Sequence, residues 1–525
     1  MATKPMRGLG RLFLVPGLVL PLGALAEDRP MSAIDWLSRS VAKPPAVAPS
    51  NGSVSLRAPV PGEPPVSGVT DEPVAVSPLD ASAGNANAIG LVSAARSGLP
   101  ADLWGDTPEA DLAAQLRKER VDTLPSVQAF LMELLLAELD PPRIPAPGGR
   151  NVLFLARVDR LLDMGALDQA MALLEQAPSN DAEIFRRRFD VALLLGQEDK
   201  ACEIMTDTPA VAPSFPARIF CLARRGDWNA AALSYQTGRA LGQIDDEMAG
   251  LLERFLDPEL AEEEAPLPPP TRPTPLVFRM LDAIGEPMPT GTLPVAFAQA
   301  DLQSHSGWKA QIEAAERLTR VGVLSPNQLL GLYTQEKASA SGGVWDRVTV
   351  ISGLDRALTA GKTARVAQLL PAAWDAMQSQ ELEPALADMF AERLAALDLP
   401  DEAGRLTFRL GLLTRDYDDV ARARTPEDPD EALLRGIALG DTSGAQAQDR
   451  LGLMLKRVFD ASPSGPDLPA NRRGAALLNA IDDITEGAKG DYRRVESGLS
   501  LLRRGGLETV ARRTAIELVV LERDG

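Results

Sequence analysis

An all-α fold is predicted by three observations. Two residue markers recur with one period between residues 151 and 258, as expected of a helical repeat array. Of the 525 residues, 45% are hydrophobic but only 4% are aromatic, and 43 are proline. This balance suits Ala/Leu-rich helices joined by Pro-rich connectors rather than a sandwich of Val-, Thr- and Tyr-rich strands. The implied architecture is an α-solenoid of helix-turn-helix repeats, with a second helical domain and Pro-rich disordered linkers.

The markers are concrete. The phrases MGALDQA, LGQEDKA and RGDWNAA place Gly165, Gly196 and Gly226 at turns, with Ala170, Ala201 and Ala231 five residues on. Phe154, Phe185 and Phe215 stand eleven residues before each glycine and open apolar stripes at helical spacing, such as Phe154, Val158 and Leu161. Glycine permits the tight turn between antiparallel helices, and the small alanine lets the two helices approach.

The remaining elements follow in chain order. Residues 1–26 have the composition of a secretory signal peptide: Lys4, Arg7 and Arg11, an apolar run from Leu12 to Leu22 broken by Pro16 and Pro21, and Ala24-Leu25-Ala26 before Glu27. The run is too short and interrupted for a membrane anchor. No later stretch is apolar enough to span a bilayer, and export is the expectation, to the periplasm if the source has an outer membrane. Residues 27–84 should be a disordered tether, with nine prolines between Val41 and Leu79. A short amphipathic helix at 31–41 interrupts it, with Ile34, Trp36 and Leu37 on its apolar side, and packing on the protein's own body is preferred to a membrane or partner contact.

A helical region is expected over 85–142. Thr107-Pro108 marks one helix start, with the threonine oxygen as cap. The run from Val127 to Leu139 is apolar nearly all round and should be buried. After the repeats at 151–258, the segment 259–275 combines an acidic run with six prolines and reads as a linker. Helices are then predicted within a C-terminal domain, 276–525, at Trp308–Arg320, Ser325–Ala338, Lys362–Gln378, Leu382–Leu397, Ala403–Leu413, Gln446–Phe459, Arg473–Ile484 and Leu507–Leu521. Phrases such as LTAGKTARV and RRGGLETVARR echo the repeats, so this half reads as their degenerate continuation.

The repeats resemble tetratricopeptide repeats, in which an aromatic, a turn glycine eleven residues on and a small residue five further recur in this order. The resemblance covers residues 151–258, with a period below that family's usual 34 and the family's closing proline only at Pro213. It implies a curved protein-binding scaffold with no chemistry of its own.

The residues themselves offer little catalytic material. Ala360-Gly361-Lys362-Thr363 resembles the end of a phosphate loop, but Arg356 stands where a glycine is needed and no strand leads in. Ser306 and Lys309 have the Ser-x-x-Lys spacing without the partner phrases of that chemistry, and Ser306 reads better as a helix cap. His305 is the sole histidine, so a multi-histidine metal site is excluded. No cofactor, metal or catalytic residue is assigned, and the acidic pairs Asp245-Asp246 and Asp482-Asp483 read as solvated helix faces. The net charge of −19 becomes −22 without the leader, which argues against a nucleic-acid partner. The only two cysteines, Cys202 and Cys221, lie on helices that a solenoid packs side by side, so they are either bridged or two buried thiols.

The functional expectation is therefore an exported, non-catalytic scaffold that binds other proteins. Two rivals remain open: an envelope hydrolase with a buried, raised carboxyl in a cleft, and a purely structural element. One candidate surface is a row of Arg157, Arg188 and Arg218, each three residues after a marker phenylalanine, which would attract an acidic peptide or the chain's own Glu262–Glu264 run. The alternative is three arginines that merely cover helix surface.

Overall fold

Gly165, Gly196 and Gly226 all adopt the left-handed conformation, with φ of 74°, 69° and 81°, and each follows a first helix of a repeat. This is the glycine-terminated helix end that the spacing requires. In the computed structural model the described residues are 32–37, 85–147, 149–178, 180–257, 259, 265–303, 305–460, 462 and 468–522. The proposed leader, most of the tether and the Glu262–Glu264 run lie outside them. Among the described residues the fold is helical, with one two-residue parallel bridge.

The chain enters with α1 (Ala33–Trp36), α2 (Ala94–Ser97), α3 (Glu109–Lys118) and α4 (Pro125–Leu136). The repeats are the pairs α5 (Val152–Asp163) and α6 (Leu167–Gln176), α7 (Ala182–Leu195) and α8 (Glu198–Asp207), and α9 (Phe215–Arg224) and α10 (Trp228–Ala240), followed by α11 (Asp246–Leu256). Each helix packs against the next. Ala170, Ala201 and Ala231 are buried at the crossings, as are Phe154 and Phe185, while Phe215 is half-buried.

Beyond the linker come α12 (Pro275–Ala283) and α13 (Ala298–Asp301), both of which pack back on α7. Gln299 Nε2 donates to the Gly165 carbonyl at 2.8 Å. The 259–275 segment thus separates stretches of chain but not cores, because the apolar residues on either side belong to one continuous cluster. The short N-terminal helix docks on this body: Ala33, Trp36 and Leu37 are buried, Trp36 meets Phe297 edge-on at 5.6 Å, and the Ala33 amide donates to Asp163.

Successively packed helices then continue through α14 (Trp308–Arg320), α15 (Pro326–Gln335), α16 (Val344–Thr359), α17 (Thr363–Gln378), α18 (Glu383–Ala395), α19 (Asp401–Leu412), α20 (Tyr417–Ala423), α21 (Pro429–Leu439) and α22 (Arg450–Asp460). The last helices are α23 (Arg473–Gly487), α24 (Tyr492–Arg504) and α25 (Glu508–Val520). Gly361 is a left-handed turn between α16 and α17, in keeping with a helix hairpin rather than a phosphate loop.

The two ends of the helical chain meet. Helices α23 and α25 pack on α4, α23 also packs on α3, and α3 packs on α5, so the sequence of neighbours closes on itself. Glu517 of α25 accepts from the Ser126 amide at 2.9 Å and its hydroxyl at 2.7 Å. A carboxylate there satisfies amides that the first turn of α4 leaves unpaired.

Two capping expectations are corrected. The helix after Thr107-Pro108 begins at Glu109 with Pro108 as its cap residue, and the Thr107 hydroxyl is buried without a hydrogen bond. Gly307, not Ser306, precedes α14, again without a side-chain cap. In both cases the extended residue next to the helix, not the hydroxyl residue before it, occupies the capping position.

One buried acid in this framework has a measurable consequence. Glu119, at the end of α3, has an unpaired Oε2, and burial, aided by the nearby Asp482 carboxylate and opposed by Arg160, pushes its pKa up to about 8. A folded pKa above the unfolded value gives stability that is complete below pH ~4.5 and is lost as pH rises through ~8. The Glu119→Gln variant, neutral at every pH, is expected to flatten that dependence and to stabilise the protein at pH 9 by on the order of 3 kcal/mol. Denaturant melts of both proteins at pH 5, 7 and 9 check this.

Candidate partner-binding cleft

The predicted arginine row does not form. Arg157 is only 1% exposed. Its Nε donates to the Leu135 carbonyl at 2.9 Å, Nη1 to Asn87 at 3.2 Å and Ile89 at 2.8 Å, and Nη2 to Ala137 at 2.9 Å. These carbonyls belong to the C-terminal end of α4 and to the segment leading into the bridge that pairs Val92 with Ala137 and Ser93 with Glu138. A guanidinium fork suits this place because helix-end carbonyls lack internal donors and carry partial negative charge. Burial lowers the Arg157 pKa to about 10, which still leaves it charged at neutral pH. Arg188 is half-buried with Nη2 3.7 Å from Glu175, and Arg218 is exposed on α9. The equal spacing of the three from their phenylalanines gave equal helical phase but not equal surroundings, because the first repeat is covered by the chain that precedes it.

The contact between successive first helices is instead made by Arg187 and Asp159, a buried bidentate pair at 2.6 and 3.0 Å. Both side chains are buried, Asp159 on α5 and Arg187 on α7, so the pair presents no charge to solvent.

Cys202 and Cys221 are joined in a disulfide between α8 and α9, with Cα atoms 5.1 Å apart. Next to it lies a cleft of about 390 Å³ formed by α8, α9, α10, α11 and α12. Its apolar side holds Phe220 and Phe255, stacked at 5.5 Å, and Trp228, which is 51% exposed. Its polar side is built on Glu198, one turn before Cys202. Glu198 Oε1 is 3.4 Å from Arg224 Nη2 and accepts from Arg279 Nη2 at 3.2 Å. Arg224 Nη2 also meets Asp199 at 2.9 Å, and Arg279 Nη1 meets Asp282 at 3.0 Å. Glu198 Oε2 is buried and has no hydrogen-bond partner in the structure.

None of these residues was singled out from the sequence, although one signal was present. Two residues after each turn glycine stand Leu167, Glu198 and Trp228. The first and second are buried and the third is exposed. A carboxylate in a register that another repeat fills with leucine marks a place where packing has been replaced by polar contacts.

A second cleft, about 460 Å³, lies at the meeting of the chain's ends and is lined mainly by small and apolar residues, among them Gly98, Leu99, Gly505 and Leu507, with Arg473 as its charged member. The carboxyls that burial pushes upward, including Glu119 and Asp163 (raised to about 6), line neither cleft. Among the described residues no three His, Cys, Asp or Glu side chains are grouped to hold a metal, and no helix is long and apolar enough to cross a membrane. Comparison with protein-family models, with curated proteins and with solved structures finds no match for this chain.

Proposed function

We propose that this is an exported, non-catalytic helical-repeat protein of the cell envelope that binds another protein through the last of its three tetratricopeptide-like repeats. The observation that carries the reading is the exposure of α10. Its packed side is reduced to a stripe in which only Ala231 and Gly238 are fully buried. By contrast α6 buries Leu167, Ala170, Met171, Leu173 and Leu174. Around the open arc of α10 and just past its end stand Trp228, Leu233 and Leu241, three of the five large apolar side chains that are exposed among the described residues. Exposed apolar side chains concentrated on one element favour a protein contact over a solvated surface. The leader-like residues 1–26 support export, and the disulfide is compatible with an oxidising compartment.

Affinity capture of the tagged protein from its native envelope, alongside Trp228→Ala and Leu233→Glu variants, tests this. A protein enriched by the wild type and lost by at least one variant is the expected result. Enrichment equal in all three, or no enrichment over a tag-only control, contradicts it.

A further inference from the structure

We infer that the Glu198 cleft receives one basic side chain, arginine or lysine, presented by the partner; this rests on the binding role proposed for α10 and names the chemistry that the contact reads. The cleft has two unmatched features that a single group would satisfy. The first is Glu198 Oε2, on a side chain only 3% exposed, without a donor. A buried carboxylate oxygen left without a hydrogen bond is costly, and a charged donor satisfies it best. The two neighbouring guanidiniums do not serve, since Arg224 and Arg279 reach the other oxygen and are further engaged by Asp199 and Asp282. The charged lining is balanced, Glu198 and Asp282 against Arg224 and Arg279, with exposed Asp199 holding Arg224 from outside the cleft, so the unmatched charge-bearing atom is Glu198 Oε2 itself.

The second unmatched feature is the aromatic side. Trp228 is half exposed beside the stacked Phe220 and Phe255. An arginine or lysine combines an aliphatic stem, which covers such rings, with a cationic head that interacts favourably with a tryptophan face. A carboxylate ligand could pair with Arg224 or Arg279 but, like a purely apolar one, would leave Oε2 without a donor. The net charge of −19, or −22 without the leader's Lys4, Arg7 and Arg11, also steers a basic partner toward the protein at long range. The disulfide fixes the site: it ties α8, which carries Glu198, to α9, which carries Phe220 and Arg224.

Calorimetric titration of the intact protein with three synthetic peptides tests the inference: acetyl-Leu-Arg-Leu-amide, the same peptide with citrulline for arginine, and the same with glutamate. The arginine peptide is expected to bind saturably and about tenfold more tightly than the neutral citrulline peptide, as for a charge-assisted contact. Glu198→Gln should remove that preference, and Trp228→Ala should weaken the arginine peptide severalfold. Thermal melts report whether Glu198→Gln remains folded; if it does not, the peptide comparison on the wild type and the exposed Trp228→Ala variant still decide. Equal binding of the arginine and citrulline peptides, tighter binding of the glutamate peptide, absence of saturable binding, or a folded Glu198→Gln that keeps the preference each overturns the inference. Loss of the captured envelope protein in Trp228→Ala but not in Glu198→Gln would retain the docking role of α10 and reject the basic side chain.

Discussion

Replacing Arg157 with methionine is expected to destabilise the protein by roughly 4 kcal/mol or more, or to prevent folding. The substitution keeps much of the side chain's apolar volume, so the loss isolates the guanidinium. Four carbonyls lose this donor: those of Asn87, Leu135 and Ala137 in buried contacts and that of Ile89 in a part-buried one. Each unsatisfied buried acceptor costs about 1 to 3 kcal/mol. Arg157→Lys should recover only a minor part, because one ammonium does not reproduce a planar fork that reaches both the end of α4 and the strand bridge. Denaturant unfolding followed by circular dichroism measures the difference, and hydrogen exchange at Leu91 and Ala137 shows whether the bridge opens first. A folded Arg157→Met protein with wild-type stability would mean that these carbonyls are satisfied in another way.

Removing the disulfide is expected to have the next largest effect. The bridge closes a loop with a sequence separation of 19, for which chain entropy gives about 3 kcal/mol. Cys202→Ala with Cys221→Ala should lower stability by roughly that amount, and reductant should do the same to the wild type but not to the variant. The effect is local as well as global. Because α8 and α9 frame the Glu198 cleft, the double variant should also show faster hydrogen exchange in both helices and weaker peptide binding. Unchanged melting in the double variant would contradict a stabilising role for the bridge.

The parts of the fold that were legible in the sequence are those with local causes. Turn glycines require a backbone that only glycine adopts readily, and marker alanines are set by the closeness of two adjacent helices, so both repeat with the structure. Helices such as Trp308–Arg320 were bounded correctly for the same reason, since one apolar stripe and its flanking turns determine them. Six helices of the C-terminal half are absent from the predicted set: Pro275–Ala283, Ala298–Asp301, Val344–Thr359, Tyr417–Ala423, Pro429–Leu439 and Tyr492–Arg504. In the last of these, arginines and serines dilute the stripe of Val495, Leu499 and Leu502, and Gly498 stands mid-helix. The glycine is required by the preceding helix, α23, which packs directly against it: a Cβ there would lie 2.6 Å from Ile484 and 2.8 Å from the Ala480 carbonyl.

The candidate site was less legible because it is assembled across five helices. Arg157, Arg188 and Arg218 share a register, but what each touches depends on whether residues 85–138 happen to cover that repeat. Glu198 and Arg279 are 81 residues apart and meet only because α12 folds back on the repeats. The cysteines were the exception, since the helix-pair pattern alone brought Cys202 and Cys221 to adjacent helices. Whether they were bridged was left open by the sequence and is decided by their geometry in the fold.

Site-specific photo-crosslinking tests the binding role most directly. A photoreactive amino acid is placed at position 228, at the mouth of the cleft, and the protein is irradiated in the cells that produce it. The expected result is a discrete adduct with a different protein that forms at position 228, is absent when the same group replaces the exposed Leu453 on α22, and disappears on competition with the arginine peptide. No adduct at 228, or the same adducts at 228 and 453, would contradict a partner-binding surface on α10.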